Sequence, residues 1–502
     1  MSTLTDTHPD HTSDHAPPPE SPAEKARSVV VIGGGCAGIA AAVRLAGRGV
    51  PVTLVETRKR LGGRATSFND PDTGELLDNC QHVLMSGCTN LMDLYKRLGV
   101  SKKIQWSHRL HFMSGDATRG EATLDTLLAD DLPAPMHMLR PMLKFKGMSL
   151  RTKLAIMRGM VSIMQVSHAS RRFLEDVSFA DFLERNGQPP AAIDRFWNVV
   201  CMSACNGTVE EVAASYAVMV FQEGFMYNTA AQEMGVSSVP LAELYDPAEA
   251  AIQQSGGKVL LGTSVQGIEY EDGRVAFVRT ADGQELFADA FISALPFDRL
   301  DKLATEDMKR ADERLAHLDE FTVNPILGIH LKFRAAHGGP VMQLPHAILT
   351  DSPLQWIFNK GFDLSEANFG AHHLHGVISA AHDWVDKPAD EILKMAEAEC
   401  RKHLSPDIDG ATLEYGKVIK EKRATFVPRP GIDRIRPDAA GAIDNLFLAG
   451  DWTQTHWPAT MEGAVRSGYA AAHAAMAHIG GDARPMLVGD IQPGPLYQVL
   501  SG

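Results

Sequence analysis

The stretch SVVVIGGGCAGIAAAVRLAGRGVPVTLVE, residues 28–56, decides the fold. Its apolar start predicts a buried strand, and glycines 33, 35 and 38 form a GxGxxG motif where an Ala-rich helix opens. A second strand then ends in Glu56, where a carboxylate can accept hydrogen bonds from a ribose diol. Strand, turn, helix, strand and acidic residue together predict an α/β, doubly wound, Rossmann-like domain that binds a dinucleotide.

Each glycine of the motif has a separate task. Gly33 permits the tight turn, Gly35 lets a pyrophosphate approach the backbone, and Gly38 allows the helix to lie close to the strand. The helix opens at Cys36 and Ala37, and its first amides then face the phosphates. The motif serves NAD and FAD equally, so later residues must distinguish the two cofactors.

The run ETRKRLGGRATSF, residues 56–68, follows the acidic strand end. A glycine pair followed by arginine suits an extended cofactor whose pyrophosphate needs an added cation, whereas Arg60 is expected to be surface charge. This run resembles the amine oxidase and phytoene desaturase superfamily of flavoproteins, which share Glu-x-Arg followed by Gly-Gly-Arg. The resemblance implies FAD, held in this run by Thr57, Arg58, Gly63 and Arg64.

Two later segments fit the FAD assignment. Residues 254–295 alternate in hydrophobicity around EDG and ADG turns and predict a β-meander, in which the resemblance places Val265 beside the adenine. The segment AGDWTQTHWPATMEGAVRSG, residues 449–468, reads as strand, acidic turn and helix. By resemblance, Asp451 holds a ribityl hydroxyl and the helix near Glu462 directs its amides at the flavin carbonyl edge. The other residues assigned to this end are Gly450, Met461 and Ala464.

One extended FAD site accounts for both the GxGxxG motif near the N-terminus and the Gly-Asp turn near residue 450. A disulfide reductase would carry a second GxGxxG for its nicotinamide, and the sequence has none between residues 110 and 440. The electron donor or acceptor must therefore be an external molecule, which the sequence does not name.

Composition excludes several other classes of function. The formal net charge of −14 argues against nucleic acid as a partner, because phosphate binding needs a basic surface. Six cysteines without a CxxC pair suit a reducing compartment and predict no metal site. The chain has no run of 18 apolar residues, and residues 1–27 predict a disordered tail, not a signal peptide. We expect a cytoplasmic protein, either free or at the inner face of the membrane.

The motifs divide the chain into two interleaved domains and a C-terminal tail at 481–502. The FAD-binding domain takes residues 28–110, 246–297 and 426–480, and a discontinuous α+β substrate domain takes 111–245 and 298–425. Within the latter, residues 132–166 carry six basic residues, no acidic one and seven methionines. This segment predicts either a helical surface that docks on anionic lipid headgroups or a helical subdomain whose methionines fill core gaps.

A closer resemblance covers residues 28 to about 477. It rests on LLDNCQHVLMSGCTNLMDLYKRLGV (76–100), FWNVVCMSACN (196–206), QWIFNKG (355–361), EKRATFVPRPG (421–431) and residues 450–468. These stretches together resemble the squalene-associated, desaturase-like flavoproteins of bacterial hopanoid pathways, the hydroxysqualene dehydroxylases. The chain departs from that pattern at Cys80 and His456, where the motifs DNGQH and TGWP carry glycine.

The resemblance implies reduction of the allylic alcohol hydroxysqualene to squalene. This reaction needs a proton for a poor leaving group, tolerance of an allylic cation and hydride from reduced flavin. His82 and His456 are the candidate general acids, with packing or solvent exposure as the alternative for each. Asp78 would orient one of them or cap a turn. Four aromatic residues are candidates to line an apolar tunnel and to face the cation with their π-systems: Trp457 first, then Trp197, Trp356 and Phe196. Core packing is the alternative for each of them.

Three other functions use the same architecture. A carotenoid desaturase or isomerase would have a similar apolar tunnel, with hydride passing to the flavin. An amine oxidase would need an amine-binding cage, which nothing in the sequence marks out. A GDI-type prenyl-lipid escort protein would lack redox chemistry and would not need Glu56, Arg64 or Asp451. The histidines of HHLH (372–375) lie in a stretch that reads as a polar loop, and we assign no metal to them.

Overall fold

The structure is a computed structural model that describes residues 27–336, 339–361, 372–482 and 484–501. Apart from Arg27, the predicted tail lies outside the described residues. The strands in chain order are β1 (Val29–Ile32), β2 (Val52–Glu56), β3 (Ser67–Asn69), β4 (Leu76–Asp78), β5 (Val83–Met85), β6 (Ile104–Ser107), β7 (Arg109–Ser114), β8 (Thr123–Leu128), β9 (Met234–Ser237), β10 (Lys258–Leu261), β11 (Val265–Glu271), β12 (Arg274–Thr280), β13 (Glu285–Leu286), β14 (Ala290–Ser293), β15 (Val323–Arg334), β16 (His346–Leu349), β17 (Trp356–Asn359), β18 (His372–Ser379), β19 (Thr412–Phe426) and β20 (Leu446–Leu448). The α-helices are α1 (Cys36–Ala46), α2 (Thr89–Arg97), α3 (Leu139–Lys144), α4 (Leu150–Met164), α5 (Phe179–Arg185), α6 (Pro190–Ala192), α7 (Asn198–Cys205), α8 (Ala214–Phe221), α9 (Ala242–Tyr245), α10 (Pro247–Gln254), α11 (Phe297–Leu303), α12 (Glu306–Ala311), α13 (Ala389–Leu404), α14 (Met461–His478) and α15 (Pro495–Ser501).

A five-stranded parallel sheet of order β10-β2-β1-β14-β20 forms the predicted dinucleotide-binding domain. All four residues of β1 are buried, as a parallel strand covered on both faces requires. Val29 and Val31 pack on the side of α1 and α14, and Val30 and Ile32 pack on the opposite side. The α/β class expected from the sequence is confirmed.

The predicted meander is also present. Strands β11, β12 and β13 form a small antiparallel sheet, while β10 before it and β14 after it join the main parallel sheet. The carboxyl ends of β1, β2, β14 and β20 therefore meet at one edge, which is where ligands bind in sheets of this type.

A seven-stranded sheet of order β19-β15-β18-β17-β16-β7-β8 is the second large sheet of the molecule. Helix α13 covers one of its faces.

His372–Ser379 is strand β18, so the prediction of a polar loop for HHLH is wrong. Pairing with β15 and β17 buries this strand, and His373 contacts His330 across it at 2.9 Å between ring nitrogens. Within the described residues, no group of three or more His, Cys, Asp or Glu side chains is arranged to hold a metal ion.

Helices α3 to α8 form a cap beside the two sheets, and the C-terminal segment packs against it. Tyr497 of α15 lies with its ring centroid 4.8 Å from that of Tyr227, and its hydroxyl donates to the carbonyl oxygen of Met164 at 3.4 Å. The residues predicted as a tail thus contribute to the cap. None of the described helices has the length and apolar character to cross a membrane.

Candidate active site

Two glycine-containing loops meet at the edge of the parallel sheet. Gly33 has a φ of +105°, and a Cβ added there would lie 2.8 Å from the carbonyl oxygen of Ala294. A Cβ on Gly63 would lie 2.9 Å from the Cα of Gly35, so the two loops touch backbone to backbone. Gly38 does not face the space between them. Its Cβ would lie 1.8 Å from the carbonyl oxygen of Gly33, which is the close helix–strand packing expected of it.

Glu56 is held in place at the end of β2. One carboxylate oxygen accepts a hydrogen bond from the backbone N–H of Gly34 and the other from that of Arg58, both at 2.7 Å. The side chain of Arg58 reaches back to the carbonyl oxygen of Gly63 at 2.9 Å. Arg60 instead donates to the carbonyl of Ser67, so it is not the solvated charge that we expected. The carboxylate of Glu56 is thereby fixed for hydrogen bonding to a diol.

An ion pair joins the Gly-Gly-Arg loop to the Gly-Asp loop after β20. The Arg64 guanidinium donates to Asp451 Oδ1 at 2.6 Å and to the carbonyl oxygen of Ala424 at 2.6 Å. Asp451 is 5% exposed, and its Oδ2 accepts no hydrogen bond from the described residues. That oxygen can accept a hydrogen bond from a ligand hydroxyl, which is the role predicted for this residue.

Helix α14 begins at the far side of the same space. Thr460 caps it by accepting a hydrogen bond from the N–H of Gly463 at 3.0 Å, and Met461 and Ala464 face the cavity. Glu462 does not face it, contrary to the prediction. Its carboxylate accepts from Leu91 N at 2.8 Å and Asn90 N at 3.2 Å, and so caps the N-terminus of α2, where a negative charge is stabilised.

These loops enclose a cavity of about 900 Å³. Every residue predicted to bind the cofactor lines it except Gly38 and Glu462. It extends from Glu56 and Val265 at one end to His82 and Met461 at the other. The backbone approach at the glycine loops, the fixed Glu56 carboxylate and the unused oxygen of Asp451 suit the pyrophosphate, ribose and ribityl groups of FAD respectively.

Arg436 is a central residue that the sequence analysis missed. Its side chain is 0% exposed and donates to the carbonyl oxygens of Trp457 at 3.0 Å, Asp451 at 3.1 Å and Trp452 at 3.3 Å, and also to that of Thr453. One buried guanidinium therefore fixes the loop that carries Asp451. The only sequence signal was a basic residue in a Pro-rich stretch just before β20, which does not reveal its distant partners.

A second, apolar chamber of about 600 Å³ adjoins the first cavity. Methionines dominate its wall, and six of them come from the segment 132–166. The methionines are Met85, Met136, Met138, Met142, Met157, Met160, Met164, Met219, Met226, Met234 and Met461. Both spaces share the residues Val83, Ser203, Ala204, Trp356, Thr460 and Met461. The chamber therefore opens through this junction onto the end of the cavity that His82 and Met461 line.

His82 lies on the cavity wall next to the junction residue Val83. Its Nδ1 is 3.1 Å from the carbonyl oxygen of Cys80, which fixes the tautomer with the proton on Nδ1 and leaves Nε2 to take up and release a proton. Burial lowers the pKa of the imidazole. Asp78 does not contact this ring, since its carboxylate accepts from Lys360 at 3.1 Å and from the Leu241 N–H at 2.8 Å.

Cys80, the first departure from the family pattern, also lines the cavity. Burial raises the pKa of its thiol to about 12. The side chain is therefore a neutral thiol at physiological pH, and a thiolate nucleophile is not available at this position.

His456 lies outside both cavities, contrary to the expectation that it faces the flavin. It has a φ of +57°, and its side chain is exposed. The position thus requires a left-handed backbone, which explains why the related motif carries glycine, and the imidazole that replaces it points away from the site.

The aromatic candidates divide into two groups. Trp457 and Phe196 line the apolar chamber, and Trp356 lines both spaces at their junction, with its indole N–H donating to Ser203 Oγ at 2.8 Å. Trp197 belongs to the core, where it is fully buried and donates to Gln188 Oε1 at 2.9 Å. Trp457 is covered on one face by the guanidinium of Arg466, 4.8 Å from the ring centroid.

The fold and the site define a flavin-dependent oxidoreductase. Residues 36–476 match the family described as flavin containing amine oxidoreductase, and the chain belongs to this family, with FAD as its cofactor. The chain is 26% identical over 463 residues to 15-cis-phytoene desaturase of Synechococcus elongatus, covering 89% of this chain and 96% of that protein. It is also 26% identical to a probable zeta-carotene desaturase of the same organism, covering 89% and 98%.

Solved structures show the same fold. Cyclohexylamine oxidase of Brevibacterium oxydans superposes with a TM-score of 0.63 at 18% identity, covering 90% of this chain and 99% of the oxidase. Membership of a flavin-containing oxidoreductase family leaves no support for the non-redox escort alternative.

Replacing Asp451 by alanine is expected to weaken FAD retention. The change removes a hydrogen bond to a buried charge, which contributes about 1.5–3 kcal/mol, so the Kd for FAD should rise about 10- to 100-fold. Flavin titration of the apoprotein measures the Kd. Asp444, 89% exposed, supplies the control Asp444→Asn, which should bind FAD normally. An unchanged Kd in Asp451→Ala would refute the assigned role.

Replacing His456 by glycine is expected to leave turnover within about twofold and stability within about 1 kcal/mol. The side chain is outside both cavities, and glycine adopts the required positive φ freely but loses more backbone entropy on folding. Steady-state rates and thermal melting check both values. A more than tenfold loss of turnover with normal flavin content would restore His456 as a catalytic candidate.

Proposed function

We propose that the protein reduces hydroxysqualene to squalene as an FAD-dependent hydroxysqualene dehydroxylase. The observation that carries the proposal is the placement of His82, a titratable imidazole on the flavin cavity, beside the junction with a large apolar chamber. Such a chamber suits a long isoprenoid chain, and the imidazole can protonate a hydroxyl group that reaches the junction.

The overall reaction consumes a hydride, a proton and the alcohol, and it yields the hydrocarbon and water. Reduced FAD, when bound, supplies the hydride. His82 Nε2 donates the proton to the departing hydroxyl oxygen as the carbon–oxygen bond breaks, and the imidazole regains a proton from solvent. The rings of Trp356 and Trp457 stabilise positive charge that develops on the allylic carbons, because the faces of these rings are electron-rich.

The apolar wall has a second role in this scheme. Methionine side chains are flexible and polarisable, so they adapt to a bent polyisoprenoid chain and exclude water from the junction. Exclusion of water protects an allylic cation from being recaptured as the alcohol.

Carotenoid desaturation is the second candidate. The relatives named phytoene and zeta-carotene desaturase favour it, as does the apolar chamber, which would hold either substrate. Desaturation moves hydride from substrate to oxidised flavin and releases a proton from the neighbouring carbon, and it has no leaving hydroxyl to protonate. In that step the neutral imidazole of His82 would accept a proton, whereas hydroxysqualene reduction needs the imidazolium to donate one.

Product analysis separates the two candidates. Holoenzyme reduced with dithionite under anaerobic conditions is incubated with hydroxysqualene, and oxidised holoenzyme is incubated with phytoene and a quinone acceptor. We expect one squalene per flavin from the first mixture and no desaturated product from the second. Desaturated carotenoid from the second, with no squalene from the first, would replace our proposal by the second candidate.

A further inference from the structure

The helix α4 carries an exposed apolar stripe that no described element covers. Leu150, Leu154 and Val161 are 63%, 53% and 47% exposed, values that are high for leucine and valine. At 100° per residue, these three positions fall within about 40° of one another around the helix. The opposite face, with Ile156, Gly159 and Ile163, packs into the cap.

The stripe leads to an edge of the apolar chamber. Val161 of α4, Met136 and Leu500 of α15 line the chamber and yet are 47%, 38% and 44% exposed. Val499 beside Leu500 is 78% exposed. We call the set Met136, Leu143, Leu150, Leu154, Val161, Val499 and Leu500 the apolar rim. Because Met136, Val161 and Leu500 belong to both the surface and the chamber wall, the chamber reaches the surface at these three members of the rim.

Cations accompany the rim. Residues 132–166 contain no acidic residue, and their exposed cations are Arg140, Lys144, Lys146, Arg151 and Arg158. Arg140 pairs with Asp130 at 3.1 Å, whereas no carboxylate of the described residues pairs with Lys144, Lys146 or Arg151. In a chain of net charge −14, this is a local reversal of sign. An anionic surface would repel most of the molecule and attract this region.

We propose that the apolar rim docks on a bilayer with anionic headgroups, so that the chamber opens directly into the acyl region. Exposed leucines beside lysine and arginine are the composition of helices that lie in the membrane interface. Helix α15 takes part, because Val499 and Leu500 extend the rim beyond α4. An isoprenoid substrate then passes from the bilayer to the flavin junction without crossing water.

Vesicle sedimentation tests the proposal with the purified holoenzyme and needs no substrate, so its outcome is independent of the proposed reaction. The variants are Leu150→Glu/Leu154→Glu on α4 and Val499→Glu on α15. Phe287→Glu is the matched control, since Phe287 is 65% exposed and lies between β13 and β14 of the cofactor domain. Flavin absorbance and melting temperature establish that each variant is folded.

We expect wild type and Phe287→Glu to sediment with phosphatidylglycerol-containing vesicles at low salt. Binding should be at least about fivefold weaker with pure phosphatidylcholine, with Leu150→Glu/Leu154→Glu and at high salt, and Val499→Glu should reduce it to a smaller extent. Equal binding of wild type and the double variant would overturn the proposal. So would failure of wild type to bind anionic vesicles, or a double variant that only dissociates an oligomer in light scattering, since the rim would then contact a second copy.

Discussion

Replacing His82 by glutamine is expected to lower the rate of hydroxysqualene reduction about 10²- to 10⁴-fold while FAD stays bound. Glutamine can still donate to the carbonyl of Cys80, but it has no nitrogen that exchanges a proton near neutral pH, and general acids contribute rate factors of this size. Single-turnover product formation measures the rate, and absorbance measures the flavin. His168→Gln, an exposed histidine of the cap, is the control and should behave as wild type.

The same assignment predicts a pH dependence with a definite sign. Burial holds the pKa of His82 below the ordinary histidine value of about 6.5, so the imidazole is mainly neutral at pH 7. The acidic form becomes more populated as pH falls, and kcat/KM for hydroxysqualene should rise on acidification and level off below that lowered pKa. The His82→Gln variant should lose this rise. A profile that is unchanged by the substitution would exclude His82 as the proton donor.

Replacing Arg436 by methionine is expected to destabilise the protein by at least about 3 kcal/mol and to abolish stable FAD binding. The substitution leaves the carbonyl oxygens of Asp451, Trp452, Thr453 and Trp457 without this donor in a buried place, at about 1–3 kcal/mol for each group left unpaired. Thermal melting and flavin content after desalting measure the two effects.

Two further variants test whether the effect comes from the buried guanidinium of Arg436. Arg434, two residues earlier, has a side chain that is 73% exposed, and Arg434→Met should change stability by less than about 1 kcal/mol. Arg436→Lys keeps the charge but not the planar fork of donors, so it should fold better than Arg436→Met and still retain less FAD than wild type. Normal flavin content in Arg436→Met would show that the loop holds its shape without the guanidinium.

The parts of the site that the sequence predicted are those with local causes. The bounds of β1 and the start of α1 follow from an apolar run and a glycine turn within ten residues of chain. The role of Asp451 is implied by the family resemblance of the Gly-Asp turn that joins a strand to a helix, and the structure brings its carboxylate 2.6 Å from Arg64. In such cases neighbouring residues determine the backbone, and the parallel sheet brings the strand ends together.

The parts that the sequence did not predict depend on contacts between distant segments. The partners of Arg436 are carbonyl groups, which carry no residue-type signal. Glu462 has the position of a helix N-terminus that faces a flavin, yet its carboxylate caps the neighbouring helix α2. His456 was a catalytic candidate because an imidazole stands there in place of the glycine of the related motif. That glycine serves the backbone, since the position has a positive φ. Trp197 and Trp356 both have apolar neighbours in the sequence, and only packing separates a core residue from one at the junction.

Stopped-flow absorbance of the flavin tests whether hydride passes from reduced flavin to an isoprenoid alcohol. Reduced holoenzyme is mixed anaerobically with hydroxysqualene, and the oxidised flavin band is followed with time. We predict that the band returns in one turnover, faster at lower pH, with one squalene formed per flavin. Reduced flavin that persists with hydroxysqualene, together with oxidised flavin that is reduced by phytoene, would contradict it.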